Sequence, residues 1–290
     1  MHRSICILAV LASATLWAQS TATIVGRVSD TSGAVIAGAK VIVRNTVTGL
    51  ERTASSNESG DYELPLLPIT GAYSLSVSKE GFQSQEETGI VLQVDQHARF
   101  DLAMKVGNVA EKVTVEALAP VVNTESGAIG QVIGNREIVD LPLNGRNYTQ
   151  LATLLPNAVV QTQGTAGSTV VSVSGGRLGK TEFLLNGISI NEQLFDGVAI
   201  RPSVDAIQEF KLVTNSFSAE YGRGNAVMIA TIKSGTNQLH GVVYEFLRND
   251  AFDARNTFLP SKAEYRQNQF GAAAGGPIKK DKMFLFLTKH

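Results

Sequence analysis

With 290 residues, 43% hydrophobic and 18% charged, the chain can bury a core and has room for roughly two domains. A formal net charge of −1 excludes nucleic-acid binding through bulk electrostatics. Its single cysteine, Cys6, excludes an internal disulfide and a thiolate metal site. His2, His97, His240 and His290 are spread along the chain without partners at metal-ligand spacing, so no metal and no cofactor is expected. The 27 glycines, set among short Val, Ile and Thr runs, predict strands and tight turns.

The chain opens with one early cation, Arg3, an apolar run from Ile5 to Trp17, and then small residues. This is the pattern of a secretory signal peptide. The run is shorter than the ~20 apolar residues of a membrane-spanning helix. Cleavage after Ala18 or Ala22 fits, and residues 1–22 are assigned to this leader.

Residues 23–105 alternate with period two. Ile24, Gly26 and Val28 share a face, as do Ala39, Val41 and Val43; then Tyr73, Leu75 and Val77; then Phe100, Leu102 and Met104. Such alternation predicts half-buried antiparallel strands, about seven of them in a small sandwich. Turns are supplied at Asp30–Gly33, Asn57–Gly60 and Glu80–Gly81. The runs VGRVSDTSGAVIAGAKVIV, TGLERTASSNESGDYEL and GAYSLSVSKEGF resemble the carboxypeptidase regulatory-like domain, a transthyretin-like β-sandwich grouped with carbohydrate-binding-like folds. The family name does not imply peptidase chemistry, and no zinc-binding His-x-x-Glu pair occurs. The expected role is a spacer or docking module, with sugar binding as the alternative.

Residues 106–130 read as a linker containing the β-prone stretch Glu111, Lys112, Val113, Thr114, Val115 and Glu116. An extended peptide with alternating valines can add to the sheet edge of a partner. The same residues also fit the last strand of the sandwich or the first strand of the next domain.

From 131 to 237 the pattern is mixed α and β. Asn144 or Asn147 can cap a helix that carries Tyr148, Leu151 and Leu155 on one face and stops at Pro156. Val170–Val173 read as a strand, and Ser203 as the cap of a helical turn at Val204–Ile207. Further strands are expected at Gln208–Val213 and Ala226–Lys233. The segment from Ser174 to Thr181 nearly spells a phosphate-binding loop. Ser174 stands where that loop needs glycine, and a strand pattern occupies the place where a helix is required. Neither a Gly-x-Ser-x-Gly elbow nor a standout pair of carboxylates is found, so the chain is not expected to be an enzyme.

LPLNGRNYTQLATLLP, LLNGISI and VDAIQEFKLVTNSFSAEYGRGNAVMIATIKSGTN resemble the plug domain of TonB-dependent outer-membrane receptors, in the Oar-like branch where sandwich, plug and barrel occur in this order. The resemblance implies motif turns at Gly176 and Arg177, at Asn186 and Gly187, and at Tyr221, Gly222 and Arg223. Asn186 stands where many plugs have Asp, which weakens any claim that this turn binds a cation. The resemblance also makes residues 111–116 a candidate contact for a TonB-type energy-coupling protein.

Residues 238–290 read as aromatic-rich strands of about ten residues, suited to the first strands of an outer-membrane β-barrel. Three or so strands cannot close a barrel, whose smallest members have about eight. An incomplete barrel is therefore expected, in a truncated chain that is either a fragment of a longer receptor or the product of a degraded gene. The fold class expected is mainly β: a sandwich, an α+β plug and the start of an antiparallel barrel. The resemblance implies an exported protein of the cell outer membrane with its sandwich on the periplasmic side. Its partners would be a TonB-type protein and a bulky solute of unknown identity, such as a carbohydrate, siderophore or peptide. The alternative is a secreted or periplasmic carbohydrate- or protein-binding module without transport activity.

Overall fold

A computed structural model describes residues 21–107, 112–116, 129–141, 143, 146–163, 168–177, 179–192, 197–215, 221, 224–255, 257–258, 260–262 and 264–289. The signal-peptide pattern at 1–20, Glu111, Asn144, Gly222 and Arg223 lie outside the described residues.

Nine described strands form the sandwich: β1 (Thr21–Asp30), β2 (Lys40–Asn45), β3 (Glu51–Ser55), β4 (Asp61–Pro68), β5 (Ala72–Ser78), β6 (Ser84–Val91), β7 (His97–Arg99), β8 (Leu102–Met104) and β9 (Lys112–Glu116). One sheet runs β4-β1-β7, with β8 also pairing β1, and the other runs β3-β2-β5-β6-β9. The alternating residues meet between the sheets: Val41, Val43, Tyr73 and Leu75 are fully buried. Two expectations shift here. The sheets are mixed, because β1 pairs β7 and β8 in parallel and β6 pairs β9 in parallel; period two reports a buried face and is blind to strand direction. Thr21 and Ala22, counted with the leader, belong to β1, where Ala22 is buried and pairs with Leu67.

Gly26 marks the tightest point of this sandwich. A β-carbon there would sit 1.8 Å from the carbonyl oxygen of Phe100. That oxygen also accepts the buried Tyr62 hydroxyl at 2.8 Å, so it cannot simply move away. Gly26→Ala is expected to destabilise the sandwich by about 1–3 kcal/mol through overpacking. The shift of the denaturant midpoint checks this, and an unshifted midpoint would contradict it.

The second unit holds β10 (Ile129–Gly134), helix α1 (Asn135–Asp140), a 3-10 segment at Tyr148–Leu154, and the hairpin β11 (Ala158–Gln163) and β12 (Ser168–Val173). After these come β13 (Thr181–Leu185), β14 (Ile188–Ser189), a 3-10 turn at Val204–Ala206, β15 (Ile207–Asn215) and β16 (Ala226–Ile232). The sheet order is β10-β15-β16-β13-β14, with β13 parallel to β16. Phe210, Leu212 and Met228 project from one sheet face onto Ile138, Tyr148 and Leu151. Tyr148 meets the Phe210 ring edge-on at 6.2 Å between centroids.

The sequence pattern placed the buried face of the Tyr148 segment correctly, since Tyr148, Leu151 and Leu155 are all buried. The segment winds as a 3-10 helix, however, and Asn147 caps it by accepting from the Thr149 amide at 3.1 Å. Helix α1 has no counterpart among the elements expected from the sequence, because its N-cap is Gly134, which carries no capping side chain. Ser203 does not cap the Val204 turn. Its hydroxyl lies instead 3.0 Å from the Tyr244 hydroxyl and 3.4 Å from Asp205 Oδ2.

Three antiparallel strands make the last sheet: β17 (His240–Asn249), β18 (Arg266–Lys279) and β19 (Met283–Lys289). Val242, Tyr244 and Phe246 alternate with Val243, Glu245 and Leu247. Tyr244 and Phe246 lie beside the plug residue Arg146, which places the first set on the plug side. Val243 and Leu247, on the other side, are 84% and 62% exposed.

Candidate functional site

The candidate coupling stretch is not a free linker over its described part. Lys112–Glu116 forms β9, the outermost strand of the five-stranded sandwich sheet, in parallel register with Ser84–Thr88. Among the described residues no strand pairs its other edge. An unpaired edge presents main-chain donors and acceptors that a further strand can meet.

The plug turns sit at two ends of the β13–β16 pair. At one end, Ser174 and Gly175 turn the chain with φ of 52° and 70°. A β-carbon on Gly176 would lie 2.1 Å from Asn225 Nδ2, so this glycine permits a close approach. Arg177 is exposed beside it, and Tyr221 packs against the buried cluster shared by the sandwich and the plug sheet. At the other end, Asn186 and Gly187 both have positive φ, 50° and 82°, and join β13 to β14. Two successive left-handed residues make a type I′ hairpin turn, for which Asn-Gly is the preferred pair. The Asn186 side-chain oxygen accepts the Ile232 amide at 2.8 Å, tying the turn to β16. Asn186 therefore has a structural task that needs no cation. Among the described residues, the turns do not converge on one pocket.

Two polar clusters were not singled out in the sequence. At the seam between plug and barrel strands, Arg146 Nη2 bonds Asp205 Oδ2 at 2.6 Å. Both side chains are largely buried, 14% and 5% exposed. The guanidinium carbon lies 5.0 Å from the Tyr244 ring centre and 4.1 Å from that of Phe246. At such distances a cation is attracted to the aromatic faces. Arg146 Nε is buried without a hydrogen-bond partner. Nearby, burial pushes the Lys233 ammonium below its ordinary pKa, opposed by the charge of Asp205. A cleft of about 340 Å³ opens here, lined by Arg146, Arg201, Ser203, Tyr244, Asn268 and Gln269 among others.

The second cluster joins plug and sandwich. Glu209 and Lys211 alternate with Phe210 on β15 and point toward the sandwich, where both are buried. Glu209 Oε1 accepts the Val94 amide at 2.7 Å. Lys211 Nζ donates to the carbonyls of Val94 and Asp95 at 3.1 and 3.2 Å and to Asp95 Oδ2 at 3.0 Å. Burial pushes the Glu209 carboxyl up to about 7, against the lowering influence of the Val94 amide and Lys211. Charges at alternate strand positions ordinarily read as a solvent face, so no sequence signal separated these two from surface residues.

The class of protein emerges from comparison with known families. Residues 23–105 match the carboxypeptidase regulatory-like domain, and residues 231–289 match an outer membrane beta barrel domain. The chain is homologous to the TonB-dependent transporter Oar of Myxococcus xanthus, 27% identical over 93% of this chain. The sequence is thus similar to Oar-like TonB-dependent outer-membrane receptors, and its fold is mainly β, with a sandwich and an α+β unit ahead of barrel-like strands. The chain spans 26% of the length of that relative, which is a transporter. Among solved structures, the siderophore receptor PirA of Acinetobacter baumannii is 21% identical, with 55% of this chain and 24% of that chain covered, at a TM-score of 0.43. Hydroxyquinol 1,2-dioxygenase of Pseudomonas putida is 11% identical over 31% of this chain and 57% of that chain, at a TM-score of 0.25. Structural likenesses this low carry no argument about function.

Proposed function

We propose that the chain is the N-terminal portion of a receptor whose plug, about residues 131–237, gates energy-coupled uptake of a bulky solute. In this reading a leader is cleaved at about Ala18, ahead of β1, and the sandwich runs to 105, the coupling segment over 106–130, and the first barrel strands over 238–290. The observation that carries it is the two-faced sheet β17-β18-β19. Its inner face holds the plug through Arg146, Tyr244 and Phe246, while its outer face presents Val243, Leu247, Phe270, Leu285 and Leu287, all exposed among the described residues. A largely apolar outer face, interrupted here by Glu245 and Asn268, with a filled interior is what a plugged membrane barrel needs and what a water-soluble binding module avoids.

Orientation has its own support. The β17–β18 connection is long, 250–265, and the β18–β19 turn is short, 280–282. In outer-membrane barrels the short turns face the periplasm. The sandwich touches the short-turn end: the Asn237 amide donates to the Val47 carbonyl at 3.1 Å, and Asn237 Nδ2 donates to Asp281 Oδ1 at 2.6 Å. The sandwich is therefore assigned to the periplasm, where a TonB-type protein could reach β9. A transporter of this kind performs no covalent chemistry on its solute, and the polar seam between plug and barrel strands, where Gln269 and Arg146 line the same clefts, lies on the path a solute would take.

Val113→Pro tests the coupling step. Proline removes a main-chain donor from a five-residue strand. Capture of the full-length receptor by the periplasmic part of a TonB-type protein is expected to fall at least tenfold, the effect of about 1.4 kcal/mol. Unchanged capture would remove residues 111–116 from the coupling role.

A further inference from the structure

We propose that the sandwich is clamped to the plug and moves with it as one body, with Glu209 and Lys211 of β15 gripping the Val94–Asp95 turn of the sandwich. The identity of what pulls on β9 rests on the receptor reading above; the clamp itself does not.

The plug sheet has two faces, and among the described residues the plug's own helical segments cover one of them. The other carries Leu184, Val213, Val227 and Ile229, all buried in a cluster continuous with the sandwich core. If the sandwich moved away, those four side chains would meet water together with a lysine and a glutamate. Hydrophobic burial therefore holds the two units together at rest. The polar groups set the register. The Val94 amide is directed at Glu209, and the carbonyls of Val94 and Asp95 are directed at Lys211. Asp95 has a φ of 55°, a left-handed conformation that Asp tolerates better than most residues. That conformation turns both carbonyls and the Asp95 carboxylate toward one ammonium group. Lys211 thus has three acceptors from the sandwich and pairs across the plug sheet with Val132 and Ile229.

This arrangement gives force a path. A pull on β9 loads the five-residue ladder to β6, then the sandwich, then β15, an interior strand of the plug sheet. The chain between 117 and 128 need not carry it.

Distance measurement between spin labels tests the clamp. Ser55→Cys on β3 and Thr153→Cys on the plug are both exposed positions and are labelled in the exported full-length receptor, from which Cys6 has left with the leader. One narrow distance distribution is expected. Lys211→Glu sets a carboxylate against Asp95 and two carbonyls, and is expected to at least double the width of the distribution. Adding Asp95→Lys to Lys211→Glu is expected to narrow it again. An unchanged circular dichroism spectrum would show that the plug stays folded in the variants. A broad distribution in the unaltered receptor would overturn the one-body proposal, and a narrow one that persists in Lys211→Glu would overturn the clamp. Neither outcome depends on TonB capture, so failure here leaves the receptor reading standing, and failure of capture leaves the clamp standing.

Discussion

Asp205→Ala is expected to destabilise the plug by about 3–5 kcal/mol, the range for removing one partner of a buried ion pair. Asp205 is 5% exposed and lies 2.6 Å from Arg146, so the variant leaves a guanidinium buried without its counter-ion. Lys233, whose ammonium is already disfavoured by burial, loses the same compensating charge. The rings of Tyr244 and Phe246 cannot replace a carboxylate, because an aromatic face is worth about 0.5–2 kcal/mol to a cation. The measurement is hydrogen exchange of amides in the Tyr148–Leu154 segment, which adjoins Asn147 and Arg146. Faster exchange there, with sandwich amides such as those of β5 unchanged, is the expected result. Replacing both partners, Arg146→Met with Asp205→Leu, should recover the part of the loss due to the unpaired guanidinium, while Lys233 still lacks the Asp205 charge. Equal exchange in Asp205→Ala and the unaltered protein would show that the pair contributes nothing to the seam.

Docking of sandwich on plug is expected to weaken as pH rises, through Glu209. Burial raises its carboxyl from 4.5 to about 7 in the docked structure. Below pH 4.5 the group is protonated whether docked or released, and it adds no pH dependence. Between 4.5 and about 7 the released state has lost its proton while the docked state keeps it, so docking weakens with each step upward in pH. Above about 7 both states are ionised and the full penalty remains, about 3 kcal/mol at about 1.4 kcal/mol per pKa unit. Glu209→Gln keeps an acceptor for the Val94 amide and removes the titration. Comparing the pH dependence of unfolding free energy in the two proteins isolates this one group, because other carboxyls such as Glu87 titrate in both. A flatter profile for Glu209→Gln between pH 4.5 and 7 is expected. Parallel profiles would show that Glu209 is not buried at this interface.

The sequence made legible those features in which one residue property maps onto one structural consequence. Tyr73, Leu75 and Val77 alternate and are buried in β5. Asn186-Gly187 reads as a turn and makes a hairpin with two left-handed residues. Features that depend on what lies across an interface stayed hidden. Glu209 and Lys211 obey the same alternation as a solvent-facing edge, and only the arrival of Val94 and Asp95, more than a hundred residues earlier in the chain, buries them. The stretch 112–116 carried three compatible readings, because alternating valines specify a strand and say nothing of its neighbour. Ser203 has the residue type of a cap, but the nearby hydroxyl of Tyr244 takes its side chain instead. Strand direction in β7, β8 and β9 was likewise invisible, since parallel and antiparallel pairs bury the same alternate residues.

The central claim is that the 131–237 unit closes a membrane barrel begun by β17, β18 and β19. Planar-bilayer conductance of the full-length receptor, compared with the same receptor lacking residues 131–237, tests it most directly. The expected result is a membrane that stays nearly silent with the intact receptor and large, stable openings once the plug is deleted. Equal conductance of the two proteins, or failure of the plug-deleted protein to insert and open any pore, would contradict it.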